Sequence, residues 1–260
     1  WASGPRLRWI ETQRWLMSWR GRWDRLDLYH GPNFKMHTTG RYGGIVTIHD
    51  LWLARHPEYS RKLLGQAGSS RRAIATANRA RKVVTVSEFS AREIESLYGI
   101  PRDHVRVIHN GVSEDFTPLC NDQIGAEVRT RWSIPPAGFI LFVGGADPRK
   151  NHVGFLQAVA SCRSQLGGRA IVLVGDAEHP QGSYAATATS LGLAQDVRCT
   201  GRLDREDLRR LYSCTDLFVF PSRYEGFGMP VLEAMACGAP TITSSTSSLP
   251  EVAGDAALLV

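Results

Sequence analysis

The sequence predicts an α/β protein built from two doubly wound parallel sheets. Three observations carry this. Apolar runs of strand length recur along the chain, at 45–49, 83–86, 105–108, 139–143, 170–174, 197–200, 217–220 and 241–243. Helically spaced or helix-capped stretches separate most of them, and strands that alternate with helices make parallel sheets. The stretch Thr117 to Gly138, with Pro118, Pro135 and Pro136 and no clear period, breaks the alternation once. It reads as a linker and domain entry, dividing the chain into residues 1–117 and 118–260.

In chain order, residues 1–26 are rich in Trp and Arg. Trp15, Trp19 and Trp23 are spaced by four and would share one helix face. Such a stripe packs on its own domain by default, although a basic helix that carries one can also lie in a membrane interface. Asp27 to His30 reads as a short strand and Gly31-Pro32-Asn33 as a turn. Ile45 to His49 is a strand, and residues 60–82 have helical spacing. Val83 to Val86 is the next strand. Ser87 or Ser90 can cap the helix after it, Ser90 with Glu93 in capping-box spacing, and Gly99 with Pro101 ends it. Val105 to Ile108 is a strand that leads to Asn110-Gly111. In the second domain Phe139 to Val143 comes first. Asn151 would cap a helix that reaches Leu166, where Gly167-Gly168 stop it. Strands follow at 170–174 and, more weakly, 197–200. Asp204 caps a helix from Arg205 to Tyr212.

Composition narrows the function classes. Hydrophobic residues make up 43%, enough for a real core, and no run approaches the roughly 20 apolar residues of a membrane span. WASGPRLRWI lacks the apolar segment of a signal peptide and an initiator Met, so the chain reads as beginning inside a longer protein. Five scattered cysteines (120, 162, 199, 214 and 237) without C-x-x-C fit reduced thiols and a cytoplasmic setting. The net charge of +6 is uneven. Residues 1–117 hold 19 Lys and Arg against 11 Asp and Glu, and residues 118–260 hold 12 against 14. A basic first half fits a solvated surface, nucleic acid, a phosphorylated acceptor or peripheral contact with the inner face of a membrane; of these partners nucleic acid is not the expected one.

The stretch from Asp216 to Val260 carries the chemistry. Strand Leu217 to Phe220 is followed by a turn-rich loop with Gly226 and Gly228 around Phe227. Pro230 then stands where a first helical residue belongs. The helix runs through Val231 to Cys237, Gly238 stops it, and Thr241 to Thr243 return as a strand. Glycines allow close approach of a ligand to backbone, and a helix start offers unpaired N–H groups to phosphate. Glu225 and Glu233, eight positions apart, bracket that start. A carboxylate can accept both hydroxyls of a sugar diol. Each glutamate alone would be read as surface charge; with the glycines and Pro230 between them they outline a nucleotide-sugar site.

EGFGMPVLE, continued by AMACGAPTITS and SLPEVAGDAALLV, resembles the E-x7-E signature of the family-4 retaining glycosyltransferases, which have the GT-B fold of two Rossmann-like domains. VTIHDL, VSEFS, RVIHNGV, FILFVGGADPRKN and GRLDREDLRRLYSCTDLFVFPS resemble family segments in the family's order, so only residues 1–25 are undiagnostic. The resemblance implies transfer of a hexose from a nucleotide diphospho-sugar to a saccharide or lipid-linked acceptor, with retention and without a metal; no D-x-D motif stands out. HGPNF, TIHDL and PEYS look most like bacterial mannosyl- or rhamnosyl-type enzymes of surface polysaccharide assembly, and GDP-mannose is the favoured donor, ahead of UDP-glucose or a dTDP-sugar. The family's first domain starts well before a position matching Trp1, and its last helices lie beyond Val260, so the first domain here is expected to be incomplete.

By the same resemblance, Lys150 and then Arg149 supply positive charge to the donor phosphates, and His49 faces the donor sugar. Glu225 lies near that sugar and Glu233 on the nucleotide ribose. Ser222, Gly144 and the backbone of Gly226, Phe227, Gly228, Met229, Pro230 and Val231 line the phosphates, and Leu203 sits at the turn that contacts the base. One departure stands out: many relatives carry Arg directly after the glycine that ends strand 139–143, where this chain has Gly145; either Arg149 substitutes, as PRKN suggests, or phosphate binding is weaker.

Two rival classes compete with this reading. A dinucleotide oxidoreductase needs G-x-G-x-x-G after its first strand, and VGGADPRKN does not supply it. A non-catalytic nucleotide-sugar module, or an inactive fragment, would bind donor without turnover.

Overall fold

The structure, a computed structural model, describes residues 28–36, 43–56, 67–119, 121–179 and 182–260. The tryptophan stripe at 15, 19 and 23, Cys120 and the first part of the helix expected over 60–82 lie outside them. The chain divides into two compact units, residues 1–109 and 110–260. Among the described residues no helix is long and apolar enough to cross a membrane.

Unit 1 holds a four-stranded parallel sheet in the order β1 (Leu28–Gly31), β2 (Gly43–Ile48), β3 (Lys82–Thr85), β4 (Val105–Val107). Between them come α1 (Trp52–Arg55), α2 (Ala67–Arg79) and α3 (Glu88–Tyr98). Val46, Ile48, Val83 and Val105 from the sheet pack with Ala77, Ala91, Ile94 and Ile100. Gly31 is part of β1, paired with Val46, and the position needs glycine because a Cβ there would stand 1.9 Å from the Lys35 carbonyl oxygen. The capping box at Ser90 does not form. Ser87 is the cap, its Oγ accepting the Ser90 N–H at 3.0 Å. Ser90 is therefore already inside the helix, and Glu93 is buried and paired with Arg55. Gly99 closes α3 at φ +66° with its N–H on Glu95 O, as its type suggested.

Unit 2 contains, in order, α4 (Asp122–Arg131), β5 (Phe139–Val143), α5 (His152–Ser161), β6 (Ala170–Val174), the two-residue strands β7 (Glu178–His179) and β8 (Gly182–Ser183), α6 (Tyr184–Ser190) and β9 (Val197–Gly201). Then come α7 (Arg205–Cys214), β10 (Leu217–Phe220), α8 (Met229–Ala236), β11 (Thr241–Thr243), α9 (Leu249–Ala253) and β12 (Leu258–Leu259). Six strands form one sheet in the order β12-β11-β10-β5-β6-β9, and every pair is parallel. β5 and β6 are buried on both faces, as central parallel strands must be. Phe139, Leu141, Ala170 and Val172 face one cluster with Leu211, Tyr212, Phe218 and Val231. Ile140, Phe142, Ile171 and Leu173 face the other, with Phe155, Leu156 and Tyr184.

Two sequence expectations fail here. The stretch Thr117 to Gly138 holds α4, capped by Asn121, whose Oδ1 accepts the Ile124 N–H at 2.9 Å. Its weak apolar period hid it, because only Gly125 and Val128 are fully buried. Residues 113–119 are tied to α7: Asp115 pairs with Arg205 at 2.7 Å, Thr117 O accepts from Arg209 at 3.0 Å, and Phe116 packs on Tyr212. The helix after Asn151 ends at Ser161, and a 3-10 turn, Arg163–Gln165, replaces its expected last part. Asn151 occupies the N-cap position at φ +60° without a side-chain bond to the helix.

Candidate functional site

β5 comes first in unit 2 and lies inside the sheet. The chain then builds outward on one side through β6 and β9, and on the other through β10, β11 and β12. The strand order therefore reverses between β5 and β10. In an open parallel sheet the loops at the carboxyl ends of two such strands diverge and leave a crevice for ligand. The loops that leave here are 144–150 and 221–228, which contain most of the candidate residues.

The loop after β5 is shaped by glycine. Gly144 lies under the Lys150 stem, and a Cβ on it would be 3.0 Å from Lys150 Cγ. Gly145 has φ +76°, and Gly175, at φ +124°, comes so close that a Cβ would stand 2.4 Å from the Gly145 nitrogen. Glycine meets the left-handed backbone at position 145 without strain. Pro148–Lys150 then form a 3-10 turn, with the Arg149 N–H held at 2.8 Å by Asp147 Oδ1. The Arg149 carbonyl accepts from the Arg223 N–H at 2.8 Å, which fastens the two loops to each other.

At their junction Lys150 Nζ donates to Glu225 Oε1 at 2.7 Å and lies 5.0 Å from the Phe220 ring centroid. Only 13% of the lysine side chain and 8% of the glutamate are exposed. Ser222 is fully buried, and its Oγ donates to the same Oε1 at 2.7 Å. Arg149 Nη1 stands 3.9 Å from the other oxygen, Oε2. Ser222 thus sits behind the carboxylate and acts through Glu225. The glycine loop is held from α9: the Glu225 N–H donates to Ser247 Oγ, and Ser248 Oγ lies 2.9 Å from Glu225 O and 2.7 Å from Phe227 O. Sequence reasoning missed Ser247, Ser248 and Phe220; the serines before Leu249-Pro250 were readable as a helix start.

α8 opens at Met229, so Pro230 is its second residue, still in the first turn where an N–H has no helical acceptor. Gly228 is the N-cap at φ +113°, and a Cβ there would meet Leu249 Cδ2 at 2.7 Å. Phe227 and Val231 are buried. Glu233, one turn on, is half-buried. Burial pushes its carboxyl above the ordinary carboxylate range, partly offset by the Tyr212 hydroxyl and the Arg205 charge. Leu203, just past β9, packs against the unit 2 core. Beside it Arg202 makes a two-pronged pair with Asp176, which lowers the Asp176 pKa.

Arg149, Lys150, Gly144, Gly145, Ser222 and Glu225 are thus brought together in unit 2, with Gly226 to Glu233 continuing from them. His49 belongs to unit 1, just past β2, where its Nε2 lies 2.8 Å from Pro32 O and its ring meets Phe34 edge-on. Among the described residues no group of three or more His, Cys, Asp or Glu side chains is arranged to hold a metal ion.

Comparison with known proteins agrees with this architecture. The profile "Glycosyl transferases group 1" matches residues 129–260, and "Glycosyltransferase Family 4" matches residues 1–116. O-antigen chain mannosyltransferase B of Escherichia coli is 33% identical over 257 residues, 96% of this chain and 66% of that protein. Serotype-specific mannosyltransferase WbdA of Escherichia coli is 36% identical over 188 residues, 70% of this chain and 23% of that protein. The chain therefore spans less than two thirds of the length of these relatives. Among solved structures, Anabaena HepE in complex with UDP superposes with a TM-score of 0.74 at 22% identity, covering 99% of this chain and 70% of HepE. WaaG, a glycosyltransferase of lipopolysaccharide biosynthesis, gives 0.72 at 19%, covering 100% and 71%. Both likenesses show the fold: two Rossmann-like units of the GT-B class. The chain belongs to the glycosyl transferases group 1 family.

Proposed function

We propose that this chain is the donor-binding part of a hexosyltransferase that moves mannose from GDP-mannose to a saccharide or lipid-linked acceptor with retention of configuration. The observation that carries the reading is the Lys150–Glu225 pair, 2.7 Å apart and nearly enclosed, set between the two loops of the switch point and beside the start of α8. Mannosyltransferases among the relatives favour mannose. The donor diphosphate lies against the Gly228 and Met229 amides at the start of α8, the Val231 N–H being bonded to Gly228 O, where the helix dipole favours negative charge. As the sugar–phosphate bond breaks, charge grows on the leaving diphosphate and meets Lys150 and Arg149, so no metal is required for that role. The acceptor hydroxyl bonds to the anomeric carbon on the face the phosphate leaves, and its proton passes to the departing phosphate oxygen. Glu225 orients the donor sugar with Ser222 behind it, Glu233 takes the ribose diol, and Leu203 borders the base. His49 acts from unit 1 as an orienting group. The work is cytoplasmic, and contact with a membrane through the basic first half is read by flotation with anionic vesicles.

The test incubates the 260-residue chain with GDP-mannose, UDP-glucose and dTDP-hexoses and follows nucleotide release with and without oligomannoside acceptor. Release from GDP-mannose above the other donors, lost in Lys150→Ala, is expected. Nucleotide binding with no release from any donor would make the chain a binding module.

A further inference from the structure

Tyr212, on α7, is fully buried. Its ring meets Phe218 edge-on at 5.3 Å and 88°, and Phe116 at 6.1 Å and 65°. A phenylalanine would make those contacts equally well, so packing leaves the hydroxyl unexplained. Among the described residues its hydrogen bond goes to Glu233 Oε2, at 3.3 Å. Burial and the neighbouring Glu233 charge raise the tyrosine well above its ordinary pKa, so it stays protonated and remains a donor.

We infer that Tyr212 is a positioning residue for the donor nucleotide: its hydroxyl fixes the Glu233 carboxylate in the orientation that accepts the ribose 2′- and 3′-hydroxyls. The inference rests on Glu233 being the ribose acceptor and names the group that sets its geometry. A half-buried glutamate near the start of a helix has three side-chain torsions to order before it can take a diol. A donor from the core to Oε2 restrains them and leaves Oε1 to the ligand, which reduces the ordering cost of binding. The same bond offsets part of the penalty of holding the half-buried carboxylate charged, and it does so from a ring that never meets ligand. α8 packs on α7, so the pair spans a contact that both helices hold in place.

The experiment measures binding of GDP and UDP, each beside its 2′,3′-dideoxy counterpart, to the wild-type chain and to Tyr212→Phe, Tyr212→Met and Glu233→Gln, with folding checked by circular dichroism. Wild type should prefer the ribonucleotide, and Glu233→Gln should lose that preference. The tyrosine variants should lower it about three- to tenfold, the range of one typical net hydrogen bond, and bind the dideoxy nucleotides as wild type does. Tyrosine variants that weaken both nucleotides equally, or that keep the full preference while Glu233→Gln loses it, overturn the positioning role and leave the ribose reading intact. A Glu233→Gln chain that keeps the preference overturns both.

Discussion

Lys150→Ala should destabilise unit 2 as well as impair chemistry, and the two effects can be measured apart. The lysine donates to Glu225 Oε1 at 2.7 Å, with 13% and 8% of the two side chains exposed. Removing one partner of a buried pair leaves the other charge uncompensated, at a cost of about 3–5 kcal/mol. Here Ser222 still donates to Oε1, and Arg149 stands 3.9 Å from Oε2, so the cost falls at or just below that range, about 2–3 kcal/mol. For a unit of this size that is about 5–10 °C in Tm. Lys150→Met with Glu225→Gln removes both charges at similar volume and should recover most of the loss, whereas independent sites would simply add. The assay is urea unfolding of the two single variants and the double variant, followed by circular dichroism. Stability of Lys150→Ala within about 0.5 kcal/mol of wild type, the range of surface substitutions, would refute the burial argument. In turnover, Lys150→Ala should lower kcat about a hundredfold or more and donor affinity by less, because the leaving charge is fully felt only in the transition state. Unchanged kcat in both Lys150→Ala and Arg149→Ala would remove both residues from the mechanism.

The remaining predictions concern charge, backbone and capping. Burial raises the Glu233 carboxyl above its unfolded value, so the folded state holds its proton to higher pH. The unliganded chain is therefore relieved as pH falls through that raised value, while nucleotide affinity, which needs the carboxylate, declines; Glu233→Gln should flatten the affinity profile without lowering Tm, checked by titration between about pH 5 and 8. Gly175→Ala must place a Cβ 2.4 Å from the Gly145 nitrogen at φ +124°, so it should cost about 2 kcal/mol or more and weaken nucleotide binding, read by thermal shift with and without GDP. Asn121→Ala removes the cap of α4 and should cost about 1 kcal/mol in urea unfolding, with nucleotide binding unchanged.

The central strands were legible because their apolar runs are buried on both faces, and Phe139–Val143, Ala170–Val174 and Leu217–Phe220 lie where the sequence put them. Caps that depend on one local bond, such as Asp204 to the Asp207 N–H, were legible too. Elements held by tertiary contact were not. α4 shows little apolar face, and α6 and α9, of seven and five residues, are too short for a period to register. Glu225 and Glu233 stood out by their spacing around the glycines and Pro230, but several of their partners did not. Ser247, Ser248 and Tyr212 reach them across folded loops and helices, over separations the chain does not display as a pattern. The Ser90–Glu93 capping box failed because two motifs overlapped, and the one that began at Ser87, directly after β3, prevailed.

Backbone hydrogen exchange across residues 144–150 and 226–231, with and without GDP-mannose and with UDP-glucose in parallel, tests the placement of the diphosphate most directly. One donor is expected to slow exchange in both segments, and Lys150→Ala to erase the effect in 144–150. Tight binding of either donor that leaves both segments exchanging as in the free chain would contradict the account.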